Sequence, residues 1–128
     1  MVWDFTYTKG RPKKLLILED DPLNSYAIKL LLNKISHDDY LMCATLNEFN
    51  KAFSDVYEVI ILDLNFGADI NGVDLAELLR QRNYSGEIYI HSAETASEVI
   101  EASESFVTSY LIKPVKIRDL ETISFYWS

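Results

Sequence analysis

The chain has 128 residues, a formal net charge of −8 and 48% hydrophobic residues. That is room for one domain whose core needs no disulfides or structural metals. The acidic balance speaks against direct nucleic-acid binding, no apolar run approaches the ~18 residues of a membrane span, and the Met-Val-Trp-Asp start has no signal pattern, so a soluble cytoplasmic protein without membrane insertion is expected.

Residues 1–13 read as an N-terminal arm. Trp3, Phe5 and Tyr7 alternate with polar residues, and Lys9-Gly10-Arg11-Pro12-Lys13-Lys14 follows as a solvated basic linker. The alternative is an added edge strand or a partner-binding arm. Residues 14–128 form the second unit, in which strands and helices alternate. The spacing predicts a strand over 14–19 and a helix over 22–35, capped by Asp21 with Pro22 in its first turn. Leu23, Ala27, Leu30, Leu31 and Ile35 form its apolar stripe. A short strand over 40–44 holds the single Cys43 as a small buried hydrophobe, consistent with a reducing compartment. Then come a helix over 46–54, a strand over 58–63, a loop over 64–72, and a helix over 73–82 with Leu75, Leu78 and Leu79. A strand over 87–92, a helix over 95–105, a strand over 108–112 and a helix over 116–126 complete the chain.

Five successive βα units predict an α/β fold, a doubly wound five-stranded parallel sheet with helices on both faces. Strands one, three and five read as almost wholly apolar and are expected in the centre, and strand two at an edge. The flavodoxin-like order 2-1-3-4-5 fits, with ligand binding where the first and third strands part.

Three of the apolar runs deliver charge at their C-terminal ends. Leu15-Leu16-Ile17-Leu18 ends in Glu19-Asp20, Val59-Ile60-Ile61-Leu62 in Asp63, and Tyr110-Leu111-Ile112 in Lys113-Pro114. Three carboxylates crowding one spot repel one another unless a cation intervenes. Mg2+ is the natural candidate, because it takes oxygen ligands and keeps several waters, and a backbone carbonyl near Asn65 can supply another oxygen. Strand four ends at Ser92-Ala93, which brings a hydroxyl to the same rim, and Lys113 brings an ammonium, aimed inward if its bond to Pro114 is cis. A carboxylate beside a metal, a hydroxyl and a lysine is a phosphoryl-receiving site, with Asp63 as nucleophile and Asp20 as chief metal ligand.

Leu-Glu-Asp-Asp-Pro at 18–22, Leu-Asp-Leu-Asn at 62–65 with Gly72 downstream, His-Ser-Ala-Glu at 91–94 and Tyr-Leu-Ile-Lys-Pro at 110–114 stand in order at four strand ends. In these pieces the chain resembles the receiver domain of two-component response regulators, from about Lys14 to the C-terminus, in its chemotaxis-type stand-alone form. The resemblance implies that Asp63 accepts a phosphoryl group from a sensor histidine kinase or a histidine phosphotransfer protein. It implies Mg2+ held by Asp20, Asp63 and the Asn65 carbonyl, with Glu19 acting through water. Ser92 and Ala93 would contact the phosphoryl oxygens together with Lys113, and Tyr110 would be the aromatic switch. Asn65 and Glu94 would line the path of the hydrolytic water and tune autodephosphorylation. The chain departs from the family in a loop after Asp63 that is one residue longer, in a turn before strand five that lacks glycine, and in the arm.

Phosphorylation adds about −1.5 to −2 charge and three acceptor oxygens. Ser92 gains a charge-assisted bond by moving toward them, and Tyr110 can fill the vacated space, which biases a surface formed by the helix over 95–105, the last strand and the last helix. The chain ends about eleven residues into that last helix, so a stand-alone protein that works by docking is expected. An output protein would bind that face, or the phosphoryl group would pass on in a phosphorelay. Ile117, Leu120, Ile123, Phe125, Tyr126 and Trp127 in the last helix offer either a wide core stripe or a docking patch or homodimer seam. The protein is expected to be a signalling phosphoacceptor and not an enzyme. Two rival readings are an aspartyl-nucleophile phosphatase of the haloacid-dehalogenase type and a receiver-like interaction module that works without phosphorylation. The first wants an acid where the chain has Asn65, and the second has no need of a repulsive carboxylate cluster.

Overall fold

A computed structural model describes residues 12–67, 69–93, 100–101 and 103–124. Five strands, β1 (Leu15–Leu18), β2 (Tyr40–Cys43), β3 (Val59–Asp63), β4 (Glu87–Ser92) and β5 (Ser109–Ile112), form one sheet in the order β2-β1-β3-β4-β5. Every neighbouring pair is parallel. Among the described residues, α1 (Pro22–Lys34), α2 (Leu46–Ala52), α3 (Gly72–Gln81) and α4 (Ile117–Ser124) flank the sheet, and residues 100, 101 and 103 between β4 and β5 are also helical. The fold class, the strand order and the edge position of the second strand are as the sequence predicts. Most of the helix predicted over 95–105 lies outside the described residues.

Because successive strand residues face opposite sides, the core splits into two clusters. Leu16, Leu18, Ile60, Leu62, Ile88 and Ile90 pack with Phe49 of α2 and Leu75 and Leu79 of α3. Leu15, Ile17, Val59, Ile61, Tyr89 and Leu111 pack with Ile28 and Leu32 of α1 and Leu120 and Ile123 of α4. Cys43 is buried in the first cluster, and burial pushes its thiol up, with Glu48 adding to the shift.

The helix starts follow local chemistry. The Asp21 side chain accepts from the Leu23 N–H at 3.0 Å and Pro22 opens α1, Thr45 accepts from the Glu48 N–H, and Asn71 and Asp74 cap α3 reciprocally.

Four expectations need correction. The stripe predicted for α1 holds only in part: Leu31 and Ile35 pack against the second core cluster beside the buried Ile28 and Leu32, whereas Leu23 is 79% exposed, Leu30 46%, and Ala27 exposed. The helix is apolar on two sides, and the sheet takes the side of Ile28, which periodicity cannot choose. Leu78 of α3 is likewise exposed, Leu75 and Leu79 carrying its buried face. The last strand is an edge, with Ser109 exposed and Ile112 58% exposed, and β4 lies inside the sheet in its place. The Tyr89 hydroxyl of β4 donates to Glu87 at 2.6 Å. Lys13 is not solvated, its ammonium lying 2.9 Å from a Glu87 carboxylate oxygen. The aromatics of the arm, and Phe125, Tyr126 and Trp127, lie outside the described residues.

Arg80 ties three segments together. Its guanidinium donates to the carbonyls of Phe106 (3.0 Å), Tyr84 (2.8 Å) and Gly86 (2.7 Å), linking α3 to the turns before β4 and β5. An Arg80→Ala chain leaves these carbonyls without their charged donor and is expected to lose about 2–3 kcal/mol, read as a lower denaturant midpoint with an unchanged slope. A shift below about 0.5 kcal/mol would show that the guanidinium bonds are replaceable by water.

Candidate phosphoacceptor site

Register builds the site. Leu18 pairs with Leu62, so Glu19 comes level with Asp63 as both strands run out at the same edge. Asp63 pairs with His91 across the β3–β4 boundary, and Ser92 pairs with Ile112, the residue before Lys113. Carboxylate oxygens of Glu19, Asp20 and Asp63 lie within 4.8 Å of one another. Glu19 and Asp63 are buried and Asp20 is exposed. Lys113 Nζ stands 3.1 Å from Asp63 Oδ1 and 3.6 Å from Glu19 Oε1. Its bond to Pro114 is cis, as the sequence suggested.

The loop after Asp63 is held at several points. The Asn65 N–H donates to Asp63 Oδ1 at 3.2 Å, the Leu64 N–H to the His91 carbonyl at 3.0 Å, and the Gly72 N–H to the Leu64 carbonyl at 2.8 Å. Phe66 is buried and Gly67 takes φ 76°, a left-handed turn. Gly72 leaves no room for a side chain, since a Cβ there would lie 2.5 Å from the Asp63 carbonyl oxygen and 3.2 Å from Leu64 Cα. Gly72→Ala is therefore expected to push the end of β3 aside and cost about 1–3 kcal/mol. Thermal melts check this, and an alanine variant that melts with the wild type would show that the loop can yield.

The electrostatics are those of an overcrowded anion site. Burial raises the Asp63 pKa and the neighbouring Glu19 adds to it, with Lys113 opposing. Asp20 is also raised, by burial and by its contact with Asp63. Burial works in the same direction on Glu19, but the hydrogen bonds it accepts from His91 and the Asp21 N–H, its contact with Asp63 and the Lys113 charge outweigh it and hold Glu19 below the usual range. Burial opposes the Lys113 charge too, yet the contacts with Asp63 and Glu19 raise its pKa. The donor set is wholly hard oxygen and more anionic than one lysine neutralises, which fits a small divalent cation.

Ser92 and Ala93 follow His91, which pairs with Asp63, and so stand beside this cluster. Ser92 is buried beside it and accepts the Lys113 N–H at its carbonyl (2.7 Å). Ala93 follows, exposed. Tyr110 is half-buried against the first core cluster, and its hydroxyl is hydrogen-bonded to that of Ser103, away from the carboxylates. Glu94 lies outside the described residues. One site residue was missed. His91 is buried, with Nδ1 3.1 Å from Glu19 Oε1. The available signal was a histidine at the end of an apolar strand, on the same inward face as Tyr89.

The model of the response regulator receiver domain matches residues 15–124. The chain belongs to the response regulator receiver domain family. It is 30% identical over 110 residues to the sensory transduction protein LytR of Staphylococcus haemolyticus, an alignment covering 84% of this chain and 42% of LytR. It is 36% identical over 83 residues to EvgA of Escherichia coli, a DNA-binding transcriptional activator, covering 62% of this chain and 39% of EvgA. This receiver chain thus spans about half or less of the curated relatives it matches. A receiver domain protein from Clostridium thermocellum superposes with a TM-score of 0.74 at 23% identity, over 86% of this chain and 89% of that one, which bears on the fold alone. Among the described residues no helix of this receiver is long and apolar enough to cross a membrane.

Proposed function

We propose that this receiver takes a phosphoryl group onto Asp63 from the phosphohistidine of a sensor histidine kinase or a histidine phosphotransfer protein in the cytoplasm, and that the change is read at a docking face around Tyr110. The observation that carries the reading is the buried Asp63 carboxylate, crowded by two acids and held by Lys113 at 3.1 Å. A bound Mg2+, held by Asp20, Asp63 and the Asn65 carbonyl with Glu19 acting through water, would supply Lewis-acid neutralisation of the transferring group.

The chain's own residues do the rest. Asp63 Oδ1 carries two N–H donors, Lys113 and Asn65, so the attacking lone pair is that of Oδ2. The new bond forms from this oxygen to phosphorus while the phosphorus–nitrogen bond to the donor imidazole breaks. The electron pair leaves on that nitrogen, and the donor imidazole, protonated on its other ring nitrogen, ends neutral with that proton retained. Lys113 meets the negative oxygens of the product, and Ser92, Ala93 and Asn65 line the same rim. Ser92 follows Ile88 and Ile90 in the strand alternation, so its hydroxyl belongs to the face that Tyr110 packs on. A pull on Ser92 from the phosphoryl oxygens would be felt at Tyr110. Asn65 and Glu94 would set how fast water removes the mark. The donor has a landing place: Leu23 and Tyr26 of α1 are exposed, and a cleft of about 340 Å3 next to Glu19 and Asp20 is lined by Ser25, Tyr26 and Lys29.

The test is incubation with Mg2+ and acetyl phosphate, followed by intact mass. One added phosphoryl group on the wild type, and none on Asp63→Asn, is the expected result. An adduct that persists in the variant, or none in the wild type with either a small-molecule donor or a kinase, overturns the reading.

A further inference from the structure

Phosphoryl transfer as just described makes no use of His91, yet this ring is 2% exposed at the centre of the site. Its Nδ1 lies 3.1 Å from Glu19 Oε1. Its Nε2 is buried without a hydrogen-bond partner among the described residues. An orphaned ring nitrogen costs free energy that an apolar residue at this strand position would not, so the other nitrogen is where a compensating role would lie. A carboxylate only accepts, hence Nδ1 carries the hydrogen.

The Glu19 carboxylate is fixed at both oxygens. Oε2 accepts the Asp21 N–H at 3.2 Å, and Oε1 accepts His91 at 3.1 Å, whereas Lys113 stays at 3.6 Å from Oε1 and reaches Asp63 at 3.1 Å. A flexible ammonium between two carboxylates goes to the one that is less satisfied. We infer that His91 is a positioning residue for the phosphoacceptor site. It holds Glu19 facing the oxygens shared with Asp20 and Asp63, and by occupying Oε1 it leaves the Lys113 ammonium to Asp63. Without it, Glu19 draws Lys113 away and turns out of the shared site. The inference rests on the phosphoacceptor reading and adds to it a fourth-strand residue that acts through Glu19.

Two measurements test it, with thermal melts in chelator to show that each variant is folded. Long-range 1H–15N NMR of the wild-type imidazole is expected to show the Nδ1–H tautomer. Calorimetric titration with Mg2+ alone is expected to give a dissociation constant raised about tenfold or more in His91→Leu, the size usual when the partner of a metal-binding carboxylate is lost. His91→Asn, whose side-chain amide can donate from near the place of Nδ1, is expected to recover most of the affinity. An Nε2–H tautomer, an unchanged constant in His91→Leu, or an asparagine variant as weak as the leucine one overturns the role of His91 alone. A wild type that binds no Mg2+ overturns the phosphoacceptor reading and this inference with it.

Discussion

Asp63→Asn is expected to remove the acyl phosphate entirely and, in chelator at pH 7, to raise the stability of the fold by about 1 kcal/mol, or about 4 °C in melting temperature. An amide is no nucleophile toward phosphorus here, which accounts for the first effect. The second follows from the crowding. Burial and Glu19 hold the Asp63 carboxyl above its ordinary value of 3.8, and Asp20 is raised as well. In the window above 3.8 the folded chain keeps protons that the unfolded chain has released, so stability falls as pH rises through it. At neutral pH the wild type carries the full repulsion, and the asparagine variant does not. The gain should fade as pH drops toward 3.8. Glu19 acts in the opposite sense: its lowered pKa contributes stability that is present above 4.5 and lost as pH falls further. Saturating Mg2+ should reverse the order, stabilising the wild type by about 2.7 kcal/mol at a hundred times its dissociation constant and the variant by less. Melts of both proteins from pH 4 to 8, with chelator and with Mg2+, check this. A variant less stable than the wild type in chelator would mean that the Lys113–Asp63 attraction outweighs the crowding.

Lys113→Met should have the larger effect on stability. Its ammonium is paired with two carboxylates whose side chains are 4% and 1% exposed, while the lysine side chain itself is 20% exposed. Removing one partner from a buried pair leaves uncompensated charge at a cost of about 3–5 kcal/mol, and the partial exposure of Lys113 places the expected loss near 3 kcal/mol in chelator at pH 7. The sign with pH follows from its raised pKa. The contribution of Lys113 is fully present below the ordinary value of 10.5 and is lost as pH rises through the folded value. Toward acid, the variant's unpaired carboxylates take up protons and the difference shrinks. Charging by acetyl phosphate should slow by about a hundredfold, the usual effect of removing one donor from a developing anion. Denaturant titrations between pH 5 and 10 with charging rates at pH 7 decide it. Equal stability at pH 7 would show that Lys113 is not the cation that balances Asp63.

What the sequence could determine was set by short-range chemistry. Short apolar runs, bounded by caps such as Asp21-Pro22 and by turns, specify strands and helices to within a few residues. Their alternation specifies a parallel sheet, and in such a sheet the residues after the runs meet at one edge. Glu19, Asp20, Asp63 and Lys113 could therefore be placed together from their positions at strand ends. What the tertiary structure alone decided concerns choices between equally apolar or equally polar alternatives. Both sides of α1 are apolar, and only packing against Ile17 and Ile61 selects Ile28 and Leu32 for the core and leaves Leu23 outside. The part played by His91 depends on a register in which it pairs with Asp63, beside which Glu19 emerges. Register between distant strands is fixed by side-chain packing across the whole sheet, so a pairing between residues 72 positions apart could not be read from the chain before it was folded.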